Sequence, residues 1–281
     1  MAHQQYLYLK LLLRNNLFLD LDEYALDDIP RHGLVCSFMG MRLASVFQPI
    51  FRPDGKTVGH EALLRASFLE HDDVKPEAAF ADALKENRLV QFDRLVRVVH
   101  LLNHARSFPE HELLFLNVHP QLLTSVGDHG RTFEQILHYY SVPTSRVVIE
   151  IRESEVEDEA RLAEAIGNYR NLGYRIAVDD FGAAHFNPER VLRLRPDIVK
   201  LDGALIAAAE QASEAADSFK RLVAKFRDAG IQVAVEGIET ERQLEIARKS
   251  GTDLLQGFQL ARPEFAVDAR ERQSRNEQQA A

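Results

Sequence analysis

The chain contains one cysteine, Cys36, and no tryptophan among its 281 residues. A single thiol excludes an internal disulfide framework and is typical of a reducing compartment, so we expect a cytoplasmic protein in which Cys36 is a packed or idle side chain. The apolar and charged fractions, 46% and 27%, are ordinary for a globular protein with a full core.

Basic residues are fewer than acidic residues. The chain has 34 Lys and Arg residues against 43 Asp and Glu residues, and its formal net charge is −9. Binding to DNA or RNA polymers requires clustered basic residues that replace phosphate counterions, so we expect no nucleic acid polymer as a partner. A small phosphorylated ligand, held by one or two basic residues and metal ions, stays compatible with this charge.

Long apolar runs are missing as well. No stretch approaches the roughly 18 residues that a spanning helix needs, so the sequence predicts no membrane span. The longest N-terminal candidate, Leu7–Leu13, is short and is interrupted by Lys10. No cationic start or small-residue cleavage site accompanies it, so we predict no signal peptide.

The segments that are present alternate between apolar strands and helices. Ser45–Phe51 and Thr57–Arg65 flank the turn signal Pro53-Asp54-Gly55, which predicts a hairpin. Beyond it, apolar spacing predicts helices near Pro76–Asn87, Leu89–Phe108, Thr132–Tyr140, Asp158–Leu172, Pro188–Leu194, Ser213–Ala229 and Thr240–Ser250. The near-continuous apolar runs between these helices are typical of parallel strands that are buried on both faces.

Six of these apolar runs end in, or enclose, a side chain that binds a hard cation or activates water. These side chains are Asn117, Glu150, the pair Asp179-Asp180, Lys200, Glu236 and Gln256. In a parallel barrel the C-terminal ends of the strands meet at one mouth, where the catalytic groups lie. The length of 281 residues suits one such barrel of about 250 residues with extensions, or two small domains. The repeated pattern favours the barrel.

Five carboxylates and one amide are expected to converge at this mouth, namely Glu61, Asn117, Glu150, Asp179, Asp180 and Glu236. Two unit charges 4 Å apart repel by about 1 kcal/mol in water and about 4 kcal/mol at an effective dielectric of 20, so the cluster requires protonation or cations. Oxygen ligands favour Mg²⁺ or Mn²⁺ over zinc. The number of carboxylates suits two ions, and ions about 4 Å apart serve in-line attack on phosphorus.

Taken singly, several of these residues have a purely structural explanation. Asp179-Asp180 fits a turn and helix N-cap, and Lys200 fits a structural ion pair. Glu236 precedes Gly237 and fits a solvent-facing position beyond its strand. Glu150, enclosed in Val-Val-Ile-Glu-Ile, is expected to be buried. Their joint occurrence at successive strand ends favours a functional site.

The segment Glu61-Ala62-Leu63-Leu64-Arg65 resembles the signature of EAL domains, the cyclic di-GMP phosphodiesterases of bacteria. Further segments follow in family order over residues 45–265: Phe47-Gln48-Pro49-Ile50, Leu116-Asn117-Val118, Val148-Ile149-Glu150-Ile151, Asp179-Asp180-Phe181-Gly182, Pro196–Asp202, Glu236–Thr240 and Leu255–Phe258. The resemblance implies an α/β fold: a modified TIM (β/α)8 barrel with one irregular or antiparallel strand near the N-terminus. Residues 45–267 would form it, after an N-terminal helical extension at 1–44 and before a polar, disordered or frayed tail at 268–281.

The resemblance also implies roles for individual residues. One Mg²⁺ or Mn²⁺ ion would be held by Glu61, Asn117, Glu150 and Asp179, and a second by Asp179, Asp180 and Glu236. Lys200 would orient or deprotonate the attacking water, and Lys200, Glu236 and Glu61 would be the catalytic set. Arg65 would contact a phosphate, whereas Gln48, Asp202 and Gln256 would hold the ligand or the site. The product would be linear pGpG, and the protein would be a homodimer.

One loop departs from the family pattern. Active members usually continue Asp-Phe-Gly with Thr-Gly-Tyr-Ser-Ser, whereas this chain has Ala183–Pro188. The usual loop anchor is retained as Glu153, but the preceding residue, usually Thr, is Arg152. Two hypotheses therefore stay open. The chain is a cyclic di-GMP phosphodiesterase of low or conditional activity, or it is an EAL-like receptor or protein-interaction module with a regulatory protein partner.

Overall fold

The structure is a computed structural model, and it describes residues 14, 26–68, 73–127, 130–183, 187–269 and 271. The strands are β1 Leu26–Ile29, β2 Gly33–Phe38, β3 Met41–Phe51, β4 Thr57–Ser67, β5 Asp73–Val74, β6 Leu113–Asn117, β7 Val147–Ile151, β8 Arg175–Phe181, β9 Ile198–Leu201, β10 Gln232–Val235, β11 Leu254–Leu255 and β12 Glu264–Phe265. The α-helices are α1 Pro76–Lys85, α2 Leu89–Ser107, α3 Pro120–Ser125, α4 Arg131–Tyr139, α5 Glu159–Asn171, α6 Pro188–Leu194, α7 Gly203–Gln211, α8 Ser213–Asp228 and α9 Glu241–Lys249. Short 3₁₀ turns cover Thr144–Arg146 and Glu153–Glu155.

Eight strands close into a barrel in the order β3-β11-β10-β9-β8-β7-β6-β4, and β4 pairs again with β3. The strands from β4 through β6 to β11 pair in parallel, whereas β3 runs antiparallel to both β4 and β11. The predicted hairpin of β3 and β4 is therefore confirmed. The predicted fold class is confirmed too: an α/β barrel with one antiparallel strand near the N-terminus.

The inside of the barrel is filled by one apolar side chain or more from most strands. This interior cluster consists of Ile50, Leu113, Phe115, Val148, Ala177, Ile198, Ala234 and Leu254. Successive side chains of a strand point to opposite faces, so the residue two positions further on returns to the interior face. From Phe115 onward the next such residues are Asn117, Glu150, Asp179, Lys200, Glu236 and Gln256. The barrel interior therefore changes from an apolar core to a polar layer over two residues along each of these strands.

The other face of each strand packs against helices. One outer core joins β2, β3, β4, β6 and β7 to the helices α2, α4 and α5, and a second joins β8–β10 to α7, α8 and α9. Strands buried on both faces read as continuous apolar runs, which is why the sequence pattern predicted them. The seven predicted helices are confirmed within a few residues, whereas the short helices α3 and α7 were not predicted. None of the helices in the described ranges is long and apolar enough to cross a bilayer.

The prediction of a helical extension is wrong for residues 26–44, the continuous part of that extension that the structure describes. Residues 26–44 contain β1, β2 and the start of β3, which form an antiparallel meander that prolongs the sheet beyond the barrel. Met39 (φ 51°) and Gly40 (φ 76°) form the turn between β2 and β3, and both take the left-handed backbone angles that tight two-residue hairpins require. This turn folds the chain back as a hairpin, so the segment does not continue as a helix. Apart from Arg14, residues 1–25 lie outside the described residues, as does most of the predicted tail at 268–281.

Candidate active site at the barrel mouth

Lys200, from β9, lies at the centre of the polar layer and is 1% exposed. Its Nζ lies 2.5 Å from Glu150 Oε1, 2.9 Å from Asp179 Oδ1 and 3.2 Å from Glu61 Oε2. Glu236 Oε1 makes a fourth ion pair with the same nitrogen. Four carboxylates therefore surround one ammonium, so the structural alternative of a simple ion pair does not account for Lys200.

Glu61 connects the two ends of this layer across the barrel. Besides Lys200, its Oε2 accepts a hydrogen bond from Gln256 Nε2 at 2.9 Å, and its Oε1 accepts one from Asn117 Nδ2 at 3.1 Å. The same amide of Asn117 donates to Glu150 Oε2 at 3.2 Å. Hydrogen bonds to charged groups hold both partners in position, so β4, β6, β7, β9 and the end of β11 form one connected polar network.

Burial determines the electrostatics of the layer. Desolvation, with the charges of Glu61 and Asp179, raises the pKa of Glu150 well above its usual range even though Lys200 opposes the shift. Desolvation likewise raises the pKa of Glu236 well above its usual range. Burial alone would lower the pKa of Lys200, but the surrounding carboxylates raise it well above its usual range. Lys200 therefore stays charged at neutral pH, and the carboxylates carry more negative charge than one ammonium neutralises.

Asp180 differs from the other acidic side chains. The pairing of β8 with β9 is irregular between Val178 and Phe181, and Asp180 lies in this irregularity with a φ of 54°. Its Oδ2 lies 2.8 Å from Arg152 Nε, and the Asp179 Oδ2 lies 3.9 Å from the same nitrogen. The structure therefore places Asp179-Asp180 on a strand, and the N-cap of the next helix is Asn187 instead.

The donor set fits divalent cations that prefer oxygen. Asp179, Asp180 and Glu236 each offer an oxygen within 4.8 Å of the others. The buried Gln256 Oε1 accepts no hydrogen bond from the described residues, whereas the buried Glu150 Oε1 and Asp179 Oδ1 are ion-paired with Lys200. Asn117, which donates its nitrogen to two carboxylates, keeps its oxygen as an acceptor. Carboxylate and amide oxygens are the ligands that Mg²⁺ and Mn²⁺ favour.

A cavity of about 660 Å³ opens above the layer. Its wall includes Gln48, Arg65 and Gln256, three of the residues predicted to hold the ligand or the site. Gln48 Nε2 donates to Ala261 O at 3.2 Å, and Arg65 donates to Leu64 O at 3.0 Å. Asp202 is not part of the described cavity wall, because its side chain caps helix α7 by accepting from Ala204 N at 2.8 Å. The side chain of Glu153 lies outside what the structure describes.

Sequence analysis missed two cavity features. Arg152 was noted only as a departure from the family pattern, and its contact with Asp180 was not foreseen. Asp93 and Arg97 of α2 pair with each other and extend the cavity wall away from the acidic layer. Their i,i+4 spacing within an apolar helix was the available signal. His119 also lines the cavity, and its Nδ1 accepts from Gln121 N at 3.3 Å to cap α3.

Comparison with known families gives one match over most of the chain. A family model described as EAL domain matches residues 37–263. The EAL-domain containing protein YkuI of Bacillus subtilis (strain 168) is 29% identical over 229 residues, which cover 77% of this chain and 54% of YkuI. The probable cyclic di-GMP phosphodiesterase PdeB of Escherichia coli (strain K12) is 26% identical over 237 residues, 82% of this chain and 44% of PdeB. The chain spans about half the length of these curated relatives.

Solved structures show the same likeness. The PaMucR phosphodiesterase in complex with c-di-GMP superposes with a TM-score of 0.70 and 26% identity, covering 81% of this chain and 94% of that chain. YkuI in complex with c-di-GMP and calcium superposes with a TM-score of 0.67 and 25% identity, covering 84% of this chain and 62% of that chain. Both relatives were therefore solved with the same cyclic dinucleotide bound.

Proposed function

This chain belongs to the EAL domain family, and on that basis we propose that it hydrolyses cyclic di-GMP to linear pGpG at the C-terminal mouth of its barrel. The reaction class is a metal-dependent phosphodiester hydrolysis with two ions, Mg²⁺ or Mn²⁺. The phosphodiesterase name of one relative and the c-di-GMP complexes of others support the proposal.

One observation carries this proposal: the carboxylates of Glu61, Glu150, Asp179 and Glu236 converge on a single buried ammonium. Like charges concentrated to this degree are unfavourable unless cations balance them. This excess of buried negative charge does not stabilise a structural core, whereas a site that binds divalent ions and a phosphodiester requires it. The cavity of about 660 Å³ is of the size that holds a ligand larger than a single nucleotide base.

Divalent ions bound by Glu61, Asn117, Glu150, Asp179, Asp180 and Glu236 would activate water and neutralise charge on the phosphate oxygens. Lys200, a buried ammonium among these ligands, would orient or help to deprotonate the attacking water. Arg65, exposed at the cavity, offers a planar guanidinium fork for a phosphate. Gln48 and Gln256 line the wall and orient the ligand. Asp202 acts through the helix that it caps, and its predicted part in ligand binding stays a prediction.

A second candidate function, a cyclic di-GMP receptor of little or no turnover, is favoured by one specific contact. Arg152 Nε lies 2.8 Å from Asp180 Oδ2, so a permanent cation contacts one of the expected ligands of the second ion. The chain after Gly182 also lacks the hydroxyl side chains of the usual family loop. A receptor would bind the dinucleotide through the same cavity and leave it intact.

The test is incubation of the purified protein with cyclic di-GMP in Mg²⁺, in Mn²⁺ and in excess EDTA, followed by chromatographic identification of the product. We expect pGpG with either metal and none with EDTA. Retention of intact ligand at micromolar affinity, without product in any metal, would establish the receptor instead. Light scattering of the same preparation tests the predicted homodimer. The cytoplasmic location also stays a prediction.

A further inference from the structure

Two cations approach the acidic layer from opposite sides. Lys200 contacts its four carboxylates from within the barrel and is 1% exposed. Arg152 follows β7 and contacts Asp180 from the rim, with 43% of its side chain exposed. It also lies near Asp179, and its Nη1 hydrogen-bonds Glu155 Oε1 at 3.4 Å. We call Glu61, Glu150 and Lys200 the enclosed side and Asp180 with Arg152 the rim side; Asp179 lies near both cations.

The rim side includes one member of a group of three carboxylates whose oxygens could together hold a cation. Asp180, Asp179 and Glu236 form that group, and Asp180 is the member that Arg152 contacts at 2.8 Å. A guanidinium stays charged at every pH at which a protein is folded, so its contact with Asp180 is not relieved by deprotonation. A divalent ion on the Asp180 oxygen must therefore displace Arg152 or tolerate a neighbouring positive charge.

Charge balance points the same way. When all five carboxylates of the layer are ionised, as metal binding requires, they exceed Lys200 by the charge of two divalent ions, and Arg152 supplies part of that charge from the protein itself. With Arg152 in contact, one positive charge already lies beside Asp180, so less negative charge is left for the second ion to neutralise. The ion that shares Asp180 therefore gains less on binding than it would if Arg152 were absent.

We propose that Arg152 competes with a divalent cation for Asp180 and thereby sets a weak second metal position on the rim side of the mouth. The proposal rests on the proposed function, because it concerns the ions of that site, but it is a statement about metal affinity alone. It predicts two classes of Mn²⁺ binding: a tighter ion among the buried ligands and a weaker ion held back by Arg152. Arg152 is thus a positioning residue that determines the metal concentration at which the site is complete.

The test is a Mn²⁺ titration of the apoprotein, followed by the electron paramagnetic resonance signal of free Mn²⁺, in the wild type and in Arg152→Thr. Loss of the competing guanidinium is expected to tighten the weaker class by about tenfold and to leave the tighter class unchanged. Arg152→Lys, which keeps the charge but loses the fork, is expected to stay close to the wild type. Arg152→Gln provides a second neutral variant of similar length if Arg152→Thr does not fold.

A matched control is available in Arg106, whose Nη2 lies 2.8 Å from Asp28 Oδ2 and whose side chain is 40% exposed. Arg106→Thr removes an equivalent ion pair away from the cavity and is expected to leave both Mn²⁺ classes unchanged. In an Asp180→Asn background, Arg152→Thr is expected to have a much smaller effect, because the carboxylate at 2.8 Å is gone and only the longer contact with Asp179 is left.

Equal Mn²⁺ affinities in the wild type and both neutral variants would overturn the proposal, as would an effect of the same size in Asp180→Asn. Failure of the proposed function gives a different result. If Arg152→Thr tightens Mn²⁺ binding but neither protein converts cyclic di-GMP, the competition stands and the assigned activity falls. If the wild type turns over and no neutral variant alters Mn²⁺ binding, the activity stands and the competition falls.

Discussion

The enclosed side and the rim side of the barrel mouth both carry acidic side chains, but different backbone geometries hold them. On the enclosed side Glu61, Glu150 and Lys200 project from the interiors of strands, and hydrogen bonds and ion pairs connect them. On the rim side Asp180 lies in an irregular strand end with a left-handed φ, and its nearest partner is the half-exposed Arg152. Only the first group is held by regular backbone geometry.

The fold itself orients the ligands on regular strands, whereas the orientation of Asp180 depends on segments whose sequence can change without changing the fold. Strand-borne ligands are oriented by the period of the β-strand, so any sequence that closes the barrel also brings them together. The Asp180 carboxylate depends on the chain that follows it and on a neighbouring residue after β7. Changes in these two segments alter the second metal position without altering the fold. Predictions that separate the two sides follow from this, in order of decreasing effect.

Removal of a ligand on the enclosed side is expected to have the largest effect. Glu61→Ala eliminates the carboxylate that links Asn117, Lys200 and Gln256, and we expect the rate of cyclic di-GMP hydrolysis to fall by at least about 100-fold. Product formation at saturating Mn²⁺ is the measurement. Glu245→Ala, which removes an exposed carboxylate paired with Lys249, is the control and should retain full activity. Substantial activity in Glu61→Ala would exclude the metal set proposed here.

Lys200 provides the corresponding test of stability. Lys200→Met leaves four carboxylates without their shared ammonium, and loss of one partner from a buried charge cluster lowers the free energy of unfolding by about 3–5 kcal/mol. Urea unfolding of the metal-free protein measures it, and Mn²⁺ should recover part of the loss. Lys225→Met removes an exposed pair with Glu189 and should change the same quantity by less than about 1 kcal/mol. Similar losses in both variants would contradict the central role of Lys200.

Arg65 tests ligand binding apart from metal binding. Arg65→Ala removes a guanidinium exposed at the cavity, and loss of one hydrogen bond to a charged group weakens cyclic di-GMP binding by about 1.5–3 kcal/mol. Calorimetry in Ca²⁺ or with a non-hydrolysable analogue measures this affinity, and Mn²⁺ affinity of the same variant should change little. If the ligand affinity is unchanged, Arg65 does not contact the phosphate.

The rim side is expected to respond in rate more than in affinity. Replacing residues 183–187 with Thr-Gly-Tyr-Ser-Ser supplies the hydroxyl side chains of the usual family loop, and we expect turnover to rise severalfold while ligand affinity changes little, since only the transition state requires both ions in register. Single-turnover kinetics and calorimetry separate the two quantities. A wild type that is already fast, with a graft that is neutral or slower, would show that this loop is not a defect.

The smallest predicted effect concerns pH. Burial raises the pKa values of Glu150 and Glu236, so the folded protein binds protons that the unfolded chain releases above about pH 4.3. Stability of the metal-free protein is therefore expected to fall as pH rises from 5 towards 8. Metal binding requires deprotonated carboxylates, so stabilisation by Mn²⁺ should grow over the same interval. Calorimetric melting with and without Mn²⁺ at several pH values measures both trends, and parallel curves would contradict the shifts.

The same two sides explain what the sequence could predict. The apolar runs that end in Glu150, Asp179 or Lys200 follow from strand periodicity, which sequence displays directly, so the barrel and its polar layer were predictable. The contact between Arg152 and Asp180 depends on how the residue after β7 and the irregular end of β8 lie in space, and no sequence spacing encodes it. The strands within residues 26–44 were not predicted, although Met39-Gly40 is a sequence signal for the tight turn between β2 and β3.

The dependence of cyclic di-GMP hydrolysis on Mn²⁺ concentration tests the account most directly, because it examines activity and the two unequal metal positions in one experiment. We expect no pGpG in EDTA and a rate that rises only when the weaker position fills, at a Mn²⁺ concentration well above that which fills the tighter position. Activity that persists in excess EDTA, or that is complete once a single tight ion is bound, would contradict the account.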